Sequence, residues 1–511
     1  MLSIVKSMSL QGLDGILIDV EIDISAGMPC WDVVGLPDTN IRESKERVRT
    51  AIKNCGIELA SRKYIINLSP ANIRKDGAIL DLAIAAGILG SMGIIKTEKF
   101  KDTIFIGELS LDGKLNKING ILPICIEAYK KGIRRIILPK ENASEAAIVN
   151  NLEVIGLENL NQVILYLNDK ISVFQEKIDI EELLKTKKKT FINFSEVKGQ
   201  KLAKRALEIA AAGGHNFLMI GSPGSGKTML SKRLPSILPD LSFKEALEIT
   251  KIHSIAGILK ENSIVYERPF RSPHHTISER GLIGGGKIPK PGEISLAHLG
   301  ILFLDELLEF KKNTLEVLRG PMEDREVNIS RVGINVTYPS NFMLVASMNP
   351  CPCGYYGSKI RLCTCTEKQR NSYISKLSGP LLDRFDIQIQ VYPVNYEELK
   401  NEKEETSEII KERVNKARNI QKNRYLEYEI FSNSELTPKL IEKFCKIDIN
   451  SKKILENAFR KLNLSARAYS KILKVARTIA DLEEKENIEE EHILEAIQYR
   501  SLDKGDKWNI E

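Results

Sequence analysis

The chain has 511 residues, 42% hydrophobic and 28% charged, the balance of a globular protein too long for one core. Its longest apolar stretch, 80–95, carries Asp81 and three glycines and is too short to span a bilayer, so no membrane partner is expected. The net charge of +7 is compatible with a polyanionic partner without requiring one.

The N-terminus lacks the charged head and apolar block of a signal peptide, which makes the cytoplasm the expected location. Residues 1–170 alternate short β-branched runs with helical patterns. Gly15–Ile24 and Ile104–Ile106 read as strands, Ile41–Asn54 and Ile79–Met92 as helices, in a mixed α/β domain. The ordered segments 65–68, Arg74-Lys75-Asp76-Gly77, 107–113 and 137–142 resemble the proteolytic domain of the Lon family. The resemblance implies a nucleophilic serine two residues after Lys-Asp-Gly and a lysine soon after a later Gly-Gly, where this chain has Asn119-Gly120. Here the serine position falls on Ile79 and the lysine position on Leu122 or Ile124. A serine needs a base to take its proton, so losing both members removes the chemistry. Ser69 and Ser110 match nothing in that motif, and the domain is expected to be a non-peptidase relative.

Residues 171–193 are charge-dense without a sustained apolar face and read as a linker. A second α/β block runs from 194 to 394. It opens with the apolar strand 217–220 and the phosphate-loop pattern Gly221, Ser222, Pro223, Gly224, Ser225, Gly226, Lys227, Thr228. Glycines let such a loop turn its amides toward phosphates, the lysine supplies a point charge, and the threonine hydroxyl is a ligand for Mg²⁺. ATP and Mg²⁺ are therefore expected cofactors. The strand 301–304 ends in Asp305 and Glu306, suited to hold Mg²⁺ and to activate the attacking water. Phe342–Ala346 is a third buried strand, followed closely by Asn349, an amide able to align that water. Arg384 follows a short apolar helix and precedes the strand Ile387–Val391; read alone, it serves equally as a surface ion-pair residue.

Cys351, Cys353, Cys363 and Cys365 form a C-x-C…C-x-C cluster. Four thiolates suit a structural tetrahedral zinc, with free thiols as the other reading. Residues 395–511 are helical and highly charged, with apolar positions at helical spacing in Ile454–Leu464 and Ala468–Leu482. Two further segments, 268–286 and a hairpin over Glu326–Val336, carry basic residues beside glycines. The adjacent His274 and His275 would point to opposite sides of a strand and are not read as metal ligands.

The order phosphate loop, Leu-Asp-Glu, Asn349, Leu-Leu-Asp-Arg-Phe-Asp resembles a AAA+ ATPase, in the branch with magnesium chelatase subunits and minichromosome maintenance helicases. Arg271-Ser-Pro-His-His, Gly284-Gly-Gly, 291–298 and Asn349-Pro-Cys-Pro-Cys-Gly further resemble the ComM/YifB, magnesium-chelatase-like group. The resemblance implies a Lon-like α+β domain, a AAA+ α/β core and a C-terminal helical lid. It also implies Asn349 as the sensor, Arg384 as a finger inserted into a neighbouring subunit's site, and Arg467 as a second sensor on the lid. A homo-hexameric ring is implied, with basic insertions facing a pore, where Arg271, Lys287 and Arg331 would touch DNA. The expected function is an ATP-driven DNA motor that migrates branches during recombination or uptake of transforming DNA. The alternatives are the ATPase subunit of a metal-insertion chelatase and a protein unfoldase without peptidase activity.

Overall fold

The computed structural model describes residues 2–500 except 37–38, 72–74, 76–77, 178–191, 260–263, 287–288, 332–333, 359–360, 395–403, 429 and 463. Lys287 and most of the 171–193 segment thus lie outside the described residues. The chain divides into two compact units, one from 1–187, 246–266 and 330–337, the other from 188–245, 267–329 and 338–511.

The first unit is built on a seven-stranded mixed sheet. Its order is Cys30–Val34, Lys63–Ser69, Asp14–Ser25, Leu2–Gln11, Thr103–Phe105, Arg135–Pro139, Glu153–Leu157. Leu2–Gln11 and Asp14–Ser25 pair antiparallel from Leu2↔Asp23 to Gln11↔Asp14, turning through Gly12 at φ 65°. Strict alternation in the second strand sends Ile18, Val20, Ile22 and Ile24 into the core. The helix Asp81–Ser91 is buried along its whole length, which explains why this stretch is apolar all round rather than striped.

The positions matching the Lon dyad are core positions here. Leu122 and Ile124 are fully buried in the helix Ile121–Lys130, and Ile79 packs against the core from its edge. The nearby Lys75 is fully buried, and its amine donates to the carbonyls of Gly35 (2.9 Å), Leu68 (3.0 Å) and Pro70. Ser110 donates to Asp112 in an exposed turn.

The second unit holds a five-stranded sheet in the order Phe270–Arg271, Ile301–Leu304, Met343–Met348, Phe217–Ile220, Ile387–Gln390, every neighbouring pair parallel. The strands Ile301–Leu304 and Met343–Met348 are buried at every position, as strands covered on both faces must be. The helices Ser407–Arg424, Pro438–Phe444, Ile449–Leu462, Ala466–Leu482 and Glu490–Gln498 follow. They share one continuous apolar core with the sheet, Ile472, Val475 and Ile479 joining the cluster of Phe217 and Val345. Polar ties add to it: His215 Nε2 lies 2.7 Å from Thr478 Oγ1, and Lys471 pairs with Asp386 at 2.8 Å.

Candidate nucleotide-hydrolysis site

Register alone brings the site together. Ile220 pairs with Met348 and Leu304 with Ala346, so the first residues past each apolar run meet at the carboxyl end of the sheet. This is where ligands bind in open parallel sheets. Gly221 donates its amide to Met348 O at 3.2 Å, and a Cβ there would fall 2.3 Å from Val391 O, so this position admits only glycine. Gly226, at φ 89°, starts the short helix Lys227–Arg233.

Lys227 is buried, its amine donating to Gly221 O (2.7 Å) and Ser222 O (2.9 Å) and lying 3.3 Å from Asn349 Oδ1. Burial pushes this amine down to about 8, only partly offset by Asp305 and Glu306. A group in that state gains strongly from an arriving polyanion. The Thr228 hydroxyl donates to Asp305 Oδ2 at 2.7 Å, while Ser347 donates to Asp305 Oδ1. Hydroxyl and carboxylate oxygens are the hard donors that Mg²⁺ takes, so the residues fit the ion. When bound, it neutralises charge developing between the outer phosphates.

Glu306 stands exposed in the left-handed region at φ 52°, ψ 51°, its amide 3.1 Å from Asp305 Oδ1. A bulky residue there costs about 1–3 kcal/mol, a strain typical of functional positions. Asp305 is engaged by Thr228 and Ser347, while Glu306 beside it is exposed.

Two arginines stand apart from this centre. Arg384, nearly buried, is paired with Glu323 and donates to Pro380 O at 2.7 Å. Arg467, mostly exposed on the helix Ala466–Leu482, lies 3.9 Å from the same Glu323 oxygen. Both line a cavity of about 440 Å³ with Glu323, Asp386 and Lys471, and no residue of 221–228 lines it. Beneath them burial pushes the Asp386 carboxyl up, but Lys471 and His215 outweigh it and hold it well below the usual carboxylate range.

The basic segments take separate forms. Arg271 is gripped by both oxygens of Glu293 at 2.6 Å each, whereas Arg331 is exposed at the end of the strand Glu326–Arg331. His274 and His275 lie in a loop, not a strand, with ring centroids 4.0 Å apart and ring planes tilted by 35°. The sulfurs of Cys351, Cys353, Cys363 and Cys365 lie within 4.8 Å of one another.

Sequence reasoning missed Ser347, Glu323, Lys471 and Glu293. Ser347 was within reach, since it stands one residue past the matched ends of two predicted strands. The others depend on helix packing, which no local pattern reports.

Family models described as "Magnesium chelatase, subunit ChlI", "Subunit ChlI of Mg-chelatase" and "Magnesium chelatase, subunit ChlI C-terminal" match residues 193–399, 20–142 and 404–500. The chain is 40% identical to competence protein ComM of Haemophilus influenzae over 510 residues, covering 98% of each chain. The chain belongs to the ComM/YifB group of magnesium-chelatase-like proteins. It is 41% identical to the uncharacterized protein YifB of Escherichia coli over 508 residues, again 98% of each. By contrast, the magnesium-chelatase 38 kDa subunit of Rhodobacter capsulatus is 27% identical over 174 residues, 31% of this chain and 50% of that one. Members of this group carry a AAA+ ATP-binding core, and in this chain Lys227 meets Asn349 and Thr228 meets Asp305 at one end of its sheet. Among the described residues no helix is long and apolar enough to cross a membrane.

Proposed function

We propose that the chain is a ring-forming ATPase that moves DNA strands, acting as a branch-migration motor. One observation carries the ring: Arg384 and Arg467 stand together across Glu323, in a cleft that no phosphate-loop residue lines. Among the described residues of one subunit, the contacts given for Lys227 and Thr228 include Asn349 and Asp305 but no arginine, and the cleft lined by the arginines has no phosphate-loop residue in its lining. A neighbour in a closed ring, hexameric in this reading, brings the two halves together. In it, Arg384 reaches the neighbour's outer phosphate as a finger, Arg467 joins it from the helical lid, Asn349 aligns the water and Glu306 takes its proton.

DNA as the object rests on the charge of +7, on exposed Arg331 and on Lys287. Arg271 reaches a phosphate only by exchanging it for Glu293. Near-complete coverage of competence protein ComM, against 31% for the chelatase subunit, favours this reading over metal insertion. A family model described as a magnesium-chelatase subunit covers 20–142, so the first unit is compatible with both readings and coverage is what separates them.

The first unit is a Lon-like module without peptidase chemistry, used for assembly or partner contact. Casein left uncut by the purified chain supports this; cleavage that Ser69→Ala or Ser110→Ala abolishes contradicts it. The four cysteines hold a structural zinc. The motor is tested with a labelled four-way junction, ATP and the Glu306→Gln chain as control. Strand exchange that requires ATP and intact Glu306 is expected. A junction left unchanged, together with ATP hydrolysis indifferent to DNA, contradicts the proposal.

A further inference from the structure

The cysteine cluster and the phosphate loop touch at one point. Gly354, one residue past Cys353, sits at φ 83°, and a Cβ on it would fall 2.6 Å from Cδ and 2.7 Å from Cγ of Pro223. Its backbone is therefore packed on the ring of the phosphate-loop proline, too close for any side chain. Gly354 is tied into the cluster through its amide, which donates to Cys351 O at 2.9 Å. On the other side, Cys351 stands two residues past Asn349, the amide 3.3 Å from the Lys227 amine.

The cluster is shaped for a metal. Sulfur separations of 3.4 Å (Cys351–Cys353), 3.5 Å (Cys353–Cys363) and 3.7 Å (Cys351–Cys363) approach the edge of a tetrahedron with Zn–S of about 2.3 Å. Three backbone amides aim at the sulfurs: Cys353 at Cys365 Sγ (3.4 Å), Tyr356 at Cys351 Sγ (3.3 Å) and Cys365 at Cys363 Sγ (3.4 Å). Amides in this arrangement support thiolates, as the outer shell of a metal–sulfur site does.

We propose that a tetrahedral metal on these four sulfurs is a strut for the nucleotide site, with Gly354 and Pro223 as the positioning residues that transmit it. This rests on the ATP-hydrolysis reading of the site. With the metal in place, the turn at Gly354 backs the phosphate loop through Pro223, and Cys351 fixes the far end of the segment that carries Asn349. Without it, the four thiols no longer hold Cys351, Cys353, Cys363 and Cys365 in one arrangement, and the loop loses its support. The coupling is reciprocal by thermodynamic necessity: whatever factor the metal contributes to nucleotide affinity, nucleotide returns to metal affinity.

The test uses the full chain carrying Glu306→Gln, so that bound ATP is not consumed. Zinc affinity is measured by equilibrium competition with a chromophoric chelator, with and without saturating ATP–Mg²⁺. The chain carrying Lys227→Ala corrects for zinc bound by ATP itself. Zinc affinity about fivefold or more higher with nucleotide is expected. Pro223→Ala, which keeps all four cysteines, should hold one zinc per chain and bring that ratio toward one. Gly354→Ala, which drives a methyl into Pro223, should keep its zinc and bind fluorescent ATP more weakly. Equal zinc affinity with and without bound nucleotide overturns the strut while leaving the ATP site intact. A chain that binds no zinc overturns the metal assignment, and one that binds zinc but no ATP overturns the nucleotide reading instead.

Discussion

In the first unit the buried charges are closed off by their own surroundings: Lys75 gives its amine to three carbonyls, and Asp81 is held by Arg47 at 2.9 Å and by the Leu109 amide. Glu145 likewise accepts from Ser254 and from the Leu122 amide. In the second unit Lys227, Asp305 and Glu306 converge on the open end of a sheet, where Glu306 is exposed. The difference lies in where the partners sit. Lys75 gives its donors to carbonyls inside a closed core, whereas Lys227, equally satisfied by Gly221 O, Ser222 O and Asn349 Oδ1, directs them at the open end of a sheet, where an arriving anion can take their place.

That contrast is open to attack by substitution. The largest effect is expected at Arg384, where alanine should lower the turnover of assembled protein by about 10³-fold or more, read as phosphate release at saturating ATP. Glu306→Gln should lower turnover about 10²–10⁴-fold while ATP still binds, as loss of a general base does. If either chain hydrolyses ATP at the parental rate, the corresponding role is wrong.

Beneath the arginines, Lys471→Met leaves Asp386 buried with a weaker partner. Breaking such a pair costs about 3–5 kcal/mol, visible as a lower denaturant midpoint, and Lys471→Arg should restore most of it. An unchanged midpoint would show that this pair does not hold the helix Ala466–Leu482 to the sheet.

A smaller effect comes from pH. Burial places the free Lys227 amine near 8, so above that pH it is largely neutral, and an arriving triphosphate raises it again. Nucleotide affinity should therefore fall as pH rises through about 8, with proton uptake on binding. Calorimetry at about pH 9 in two buffers of different ionisation enthalpy reads that uptake directly. The smallest effect on catalysis is expected in the first unit. Lys75→Met strands carbonyls and costs about 1–3 kcal/mol of stability, yet hydrolysis per folded molecule should not change.

Much of the second unit is legible from sequence because its signals are local. An apolar run of four or five residues ending at Gly221 or Asp305, or three residues short of Asn349, marks both the strand and the end where the polar residues gather. The first unit yields two of its helices, Thr39–Asn54 and Asp81–Ser91, but not Ile121–Lys130 or Leu160–Leu167, and the strand Leu2–Gln11 escapes notice: its alternation is interrupted, with Met8 and its neighbours buried on both sides. The helix register that sets Arg467 beside Arg384 is likewise silent in sequence. It depends on Glu323, more than 140 residues away, and on Lys471 meeting Asp386. Arg271 shows the converse. A basic residue beside glycines suggests a polyanion, but the structure gives it a carboxylate of its own.

The most direct test of a site shared between subunits is to mix two inactive chains. Glu306→Gln keeps its arginines, and Arg384→Ala keeps its acids, so a ring containing both has interfaces with one intact member of each kind. Each chain alone should be nearly inactive, and ATP hydrolysis should reappear on mixing and peak near equal amounts. Mixtures that stay as inactive as their components at every ratio, while still co-assembling, would contradict completion of the site by a neighbour.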